Sequence, residues 1–83
     1  MPQITVYTAD PCVYCRHAKA LLAKHGLAFE EINLTKNADG RAELVARTGM
    51  MTFPQIIIDD TLVGGYAELR AADQSGRLAE LLS

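Results

Sequence analysis

Cys12 and Cys15 are the only thiols in the 83-residue chain, set three positions apart in the stretch ADPCVYCRHAKALLAKHG. Three chemistries use such a pair. As a structural staple it is poor, because a bridge across so few residues removes little loop-closure entropy from the unfolded chain. As half of a zinc site it lacks its other half, since structural zinc takes four ligands and no second pair follows at a ligand spacing. His17 and His25 sit among Arg16, Lys19 and Lys24 and read as solvated histidines of a helix face, so no metal is expected. Reversible dithiol chemistry fits the spacing. Free amides and the helix dipole at a helix start favour thiolate at Cys12, which would attack, while Cys15, one turn further in and more shielded, would resolve.

The rest of the chain must hold that pair. Its length suits one domain, 1–83. A formal charge of −2, with eight basic residues scattered among ten acidic ones, gives no clustered base for nucleic acid and no attraction to an acidic membrane. The N-terminus shows no basic segment followed by an apolar run of signal-peptide length, and no apolar stretch approaches the ~20 residues of a membrane span. A redox-cycling pair in such a chain suits the reducing cytoplasm.

Ile4 to Thr8 alternates as a strand and Asp10-Pro11 breaks it. A helix follows with Ala18, Leu21 and Leu22 inward and Gly26 as its stop. LAFEEINL reads as a second strand with Phe29 and Ile32 to Leu34 contributing to the core. Asp39 to Thr48 reads as a second helix whose buried stripe is Ala42, Val45 and Ala46, closed by Gly49. In QIIIDDTLVGG, three isoleucines imply a strand buried on both faces, Asp59-Asp60 a tight turn, and Thr61 to Val63 a returning strand. The tail is helical, broken at Gly76, with Leu69, Leu78, Leu81 and Leu82 as core candidates. Glu30, Glu31, Asp59 and Asp60 are expected to face solvent, and Met50 and Met51 to fill gaps. Strands joined across a helix run parallel and a hairpin antiparallel, so the expected fold is α/β with a mixed sheet flanked by helices. A CxxC directly after the first strand of a βαβ unit resembles the thioredoxin-like redox motif. In such a fold a cis proline stands opposite the CxxC, and Pro54, just before the isoleucine strand, is the candidate.

With these elements in place the chain resembles the dithiol, CxYC type of the glutaredoxin family. YTADPCVYC, MTFPQIIID and GGYAEL are similar in order and spacing to that family's YTxxxCPYC, TVPQIFI and GG-x-D segments, and the resemblance spans essentially the whole chain. It implies a thioredoxin-like fold with a four-stranded sheet and a glutathione-dependent thiol-disulfide oxidoreductase. It further implies Cys12 as nucleophile, Cys15 as resolving thiol, and Tyr14 lining a glutathione groove. Thr52, Phe53 and Pro54 would form the edge that pairs with the glutathione backbone. Gly65, Tyr66 and Ala67 would offer backbone N–H groups to the γ-glutamyl carboxylate, and Arg41 would meet the glycine carboxylate. The implied partners are glutathione and disulfide or glutathionylated proteins, with the chain a monomer. The blander reading of Tyr14 is an aromatic of the first helical turn packed on the tail helix, Tyr66 and Phe53 are similar, and exposure decides between core and groove.

Three positions depart from the family pattern. Ala9 stands where lysine is frequent, Ala67 where aspartate is frequent, and Val13 replaces the usual proline between the cysteines. The first two weaken the hold on a charged ligand. Two alternatives stand beside this: a redoxin reduced by thioredoxin reductase, a subgroup with a tryptophan-containing WSGF type of segment where this chain has GGYAEL and no tryptophan, and a 2Fe-2S cluster carrier ligating through Cys12, which Val13 keeps open.

Overall fold

The computed structural model describes residues 2–83, so Met1 of the expected domain span lies outside the described residues. The chain runs β1 (Ile4–Thr8), α1 (Val13–Lys24), β2 (Glu30–Asn33), α2 (Ala38–Thr48), β3 (Gln55–Ile58), β4 (Thr61–Gly64), α3 (Tyr66–Ser75) and α4 (Arg77–Leu82). The strands form one sheet in the order β2-β1-β3-β4. β1 and β2 are parallel, as a helical crossover requires, and the other two pairings are antiparallel.

β3 explains the layering. All four of its residues are buried, and successive side chains leave opposite faces of the sheet. Ile56 and Ile58 join Ile4, Val6, Ala18, Leu22, Leu69 and Leu78 beneath α1, α3 and α4. Ile57 turns the other way, to Leu34 and Leu44, with Tyr7, Ile32 and Phe53 packed around them. The fold is therefore the expected mixed sheet with helices on both faces.

Two local readings need correction. In α2 the buried residue is Leu44, whereas Ala42 and Ala46 are exposed and Val45 is half-buried. Asn37 caps this helix through Gly40, and Gly40 lies so close to Leu34 that an added Cβ would stand 3.0 Å from its Cδ2. The inward line is thus Gly40, Leu44 and Thr48, at intervals of four, and one leucine buries more apolar area than a stripe of alanines. β2 is shorter than LAFEEINL: Phe29 packs against the larger core from the preceding loop, and Leu34 is buried just after the strand. Asn33, expected in the core, is exposed and serves the loop before α1 instead.

Candidate active site

The loop between β1 and α1 is fastened to the end of β2. The Asp10 N–H donates to Thr35 Oγ1 at 2.7 Å, and Asn33 Nδ2 donates to the Asp10 carboxylate at 2.8 Å. The Thr35 N–H closes the clasp on Asn33 Oδ1 at 2.9 Å. This delivers Cys12 to the N-cap of α1 with extended backbone, φ −151°. A cap position normally carries a hydroxyl or carboxylate that accepts an orphan helix amide, and here the acceptor is sulfur. The Cys15 N–H points at Cys12 Sγ across 3.1 Å. Cys12 is half-buried, Cys15 only 2% exposed, and the two are joined as a disulfide with Cα atoms 5.3 Å apart.

Opposite the sulfurs, the Phe53–Pro54 peptide bond is cis, and the Phe53 carbonyl oxygen lies 3.5 Å from Cys12 Sγ. Sequence reasoning overlooked what holds this loop. Gln55 is completely buried, and its Nε2 donates to the carbonyls of Met50 at 2.9 Å and Thr52 at 3.1 Å. Its Oε1 accepts from the Thr48 hydroxyl at 2.8 Å, so both ends of the amide are satisfied. The signal was a lone polar residue opening an otherwise apolar buried strand. Such a residue persists there only when its hydrogen bonds are made.

A groove of about 420 Å³ runs beside the sulfurs, lined by Tyr14, Thr52, Phe53, Pro54, Gly65, Tyr66 and others. Tyr14 is 61% exposed and stacks on Tyr66 with ring centroids 6.0 Å apart, so it is wall rather than core. Tyr66 and Phe53 do both, half-buried against the two cores while facing the groove. Ala67 is exposed at the groove rim.

Glu68 also lines this groove, and its Oε1 accepts from the Gly65 N–H at 2.8 Å. That amide, one of three expected to face an incoming carboxylate, is already spent, leaving those of Tyr66 and Ala67 at the helix start. The Gly65-x-x-Glu68 spacing of a helix cap announced it. Gly64, at φ +123°, has the same carboxylate arm over it, and a Cβ there would meet Glu68 Cγ at 2.8 Å.

Arg41 is not brought into the groove. Its Nη1 donates to the carbonyls of Leu34 and, at 2.7 Å, Thr35, tying the start of α2 to the end of β2. Glu31, though on the exposed edge strand, is engaged by Lys19 Nζ at 3.0 Å and by the hydroxyl of buried Thr8 at 2.8 Å. The Lys19 bond and then the Thr8 bond hold its carboxyl below the ordinary value near 4.5.

Comparison with known proteins agrees with this geometry. The family model described as Glutaredoxin matches residues 4–63. Glutaredoxin 3 of Escherichia coli (strain K12) is 43% identical over 82 residues, 99% of each chain. The glutaredoxin of Pseudomonas aeruginosa is 43% identical over 83 residues, 100% of this chain and 99% of that one. Among solved structures, a buckwheat glutaredoxin-glutathione complex superposes with TM-score 0.88 at 27% identity, covering 98% of this chain and 76% of that one. The solution structure of glutaredoxin from Brucella melitensis gives 0.85 at 44% identity, over 96% and 87%. These relatives, with the Cys12–Cys15 pair at a helix start, make the activity thiol-disulfide oxidation and reduction. With a family model covering most of its length and relatives this similar end to end, the chain belongs to the glutaredoxin family.

Proposed function

We propose that the protein reduces protein disulfides and protein-glutathione mixed disulfides at the expense of glutathione, as a monomeric single domain, 1–83, of the cytoplasm. The observation that carries this reading is the Cys15 amide on Cys12 Sγ at 3.1 Å, at the mouth of α1. An N–H aimed at a sulfur, reinforced by the helix dipole, favours the thiolate, which is the attacking species. Cys12 thiolate attacks one sulfur of a substrate disulfide, forming a mixed disulfide and releasing the other sulfur as thiolate. Cys15 then attacks Cys12 Sγ, the substrate leaves as its second thiolate, and the Cys12–Cys15 disulfide remains. Two glutathione thiols return the pair to the dithiol, leaving as glutathione disulfide.

The groove supplies what glutathione requires. The main chain of Thr52, Phe53 and Pro54 offers an edge to the tripeptide's cysteine, Tyr14 a wall, and the Tyr66 and Ala67 amides a seat for the γ-glutamyl carboxylate. Arg41 would have to release a backbone carbonyl, or use its other guanidinium nitrogens, to reach the glycine carboxylate. The buckwheat complex, in which a protein of this fold is held with glutathione, lends weight to the same ligand.

A coupled assay decides the electron source. With glutathione and glutathione reductase, wild type should turn over both substrate classes. Cys12→Ser should lose both, and Cys15→Ser should keep deglutathionylation while losing reduction of protein disulfides. Efficient reduction by thioredoxin reductase, with an inactive Cys15→Ser, would replace glutathione as the donor. A coloured dimer after anaerobic purification with iron and sulfide would point to a 2Fe-2S carrier instead.

A further inference from the structure

Beyond the thiol groove, a second cavity of about 410 Å³ lies between α1 and α3. Tyr66 lines both, and His17 packs edge-on against Tyr66 at 5.5 Å and against Tyr14 at 6.0 Å, so one aromatic wall passes from the first into the second. The second cavity is basic. His17, Lys24 and Arg70 line it, and among the described residues Lys24 and Arg70 have no acidic partner. Lys19 is held by Glu31, and Asp73, the one acid of the lining, is engaged by His25 Nε2 at 3.0 Å. Basic residues scattered along the sequence are thus gathered by the α1-α3 packing, in a chain whose net charge is −2.

We propose that this cavity receives an extended acidic segment of a protein substrate, flanking the cysteine that Cys12 attacks. Two observations select that occupant: continuity with the thiol groove through Tyr66, and two lining cations with no acidic partner among the described residues. The reach is defined. At ~1.5 Å rise per residue, His17 and Lys24 lie about 8 Å and 18 Å along α1 from Cys12, which an extended chain at ~3.3 Å per residue spans in roughly two to six residues. Aspartate or glutamate at those distances from the reactive cysteine would meet His17, Lys24 and Arg70, lowering KM without entering the exchange chemistry. This inference rests on the proposed exchange at Cys12.

The test uses peptides with an internal disulfide and a tail on each side of the loop, carrying aspartate, serine or lysine two to six residues from the cysteines. The mixed disulfide of glutathione and 2-mercaptoethanol serves as a control that carries no peptide tail toward Lys24 and Arg70. Wild type should reduce the aspartate peptide with kcat/KM about three- to tenfold above the lysine peptide, through KM, as two exposed charge pairs allow. High salt should shrink the difference. Lys24→Glu/Arg70→Glu should invert the preference and leave the control rate unchanged. Equal kcat/KM for all peptides in wild type, or a preference untouched by the double reversal, overturns the assignment while leaving exchange at Cys12 intact. No turnover of any substrate, control included, removes both readings.

Discussion

The Cys15 amide and the Cys12 sulfur meet at 3.1 Å, so α1 begins by donating a hydrogen bond to the more exposed of the two sulfurs. In the reduced protein iodoacetamide should therefore alkylate Cys12 first at mildly acidic pH, with Cys15 protected by its 2% exposure. Mass spectrometry of the digested protein reads the order, and equal labelling would remove the polarity assigned to the pair.

Gln55→Leu should destabilise the protein through the loop rather than the sheet. The substitution puts an apolar side chain on a buried strand but leaves the Met50 and Thr52 carbonyls without their donor, while the Thr48 hydroxyl keeps the Leu44 carbonyl at 3.0 Å as its acceptor. The expected loss in urea unfolding is about 1–3 kcal/mol for each group left unsatisfied. KM for glutathione should rise with it, because the same carbonyls set the position of Phe53. A fully stable variant with normal KM would show that the loop holds itself.

The Lys19 and Thr8 hydrogen bonds lower the Glu31 carboxyl in the folded state, whereas in the unfolded chain it returns to its ordinary range near 4.5. The unfolded state therefore takes up the proton first as pH falls. Glu31 should stabilise the fold fully above that range and lose its contribution as the pH drops through the lower, folded value. Glu31→Gln should be less stable than wild type at neutral pH and approach it in acid. Unfolding curves with the same offset at every pH would contradict this.

In α2, Leu44→Ala should cost about 2–5 kcal/mol, since Leu44 is 2% exposed and joins the smaller core. Ala42→Ser and Ala46→Ser should change stability little, because both positions face solvent. Thermal unfolding of the three variants distinguishes this helix face from the alanine stripe that periodicity suggests.

That helix marks where sequence reading stops. Ile4–Thr8, the isoleucine strand, the hairpin and the Gly76 break were legible because period and turn chemistry are local signals. The face of α2 was not, because the rotation of a short helix carrying small residues depends on Asn37, Gly40 and Leu34 meeting in three dimensions. The same division runs through the site. Cys12, Cys15 and the Thr52 to Pro54 segment could be named from their motifs, and Glu68 from its cap spacing to Gly65, while Gln55 acts through contacts that only the folded loop creates. Arg41 fitted a pattern, yet its guanidinium is drawn toward carbonyls at the end of β2. The gathering of Lys24 and Arg70 was invisible for the same reason, since they lie on different helices.

The strand order has a consequence for colloidal behaviour. Three consecutive isoleucines on a β-strand make the most self-adhesive run in the chain, and such a run exposed on an edge templates cross-β stacking. Here it lies inside the sheet, covered by β1 on one side and β4 on the other. The outer edges fall instead to short strands, one of them bearing Glu30 and Glu31, whose charges discourage pairing between molecules. Peeling of the four-residue β4 is therefore the opening that uncovers the sticky run, and solutions of this protein should begin to aggregate when that hairpin frays, ahead of global unfolding.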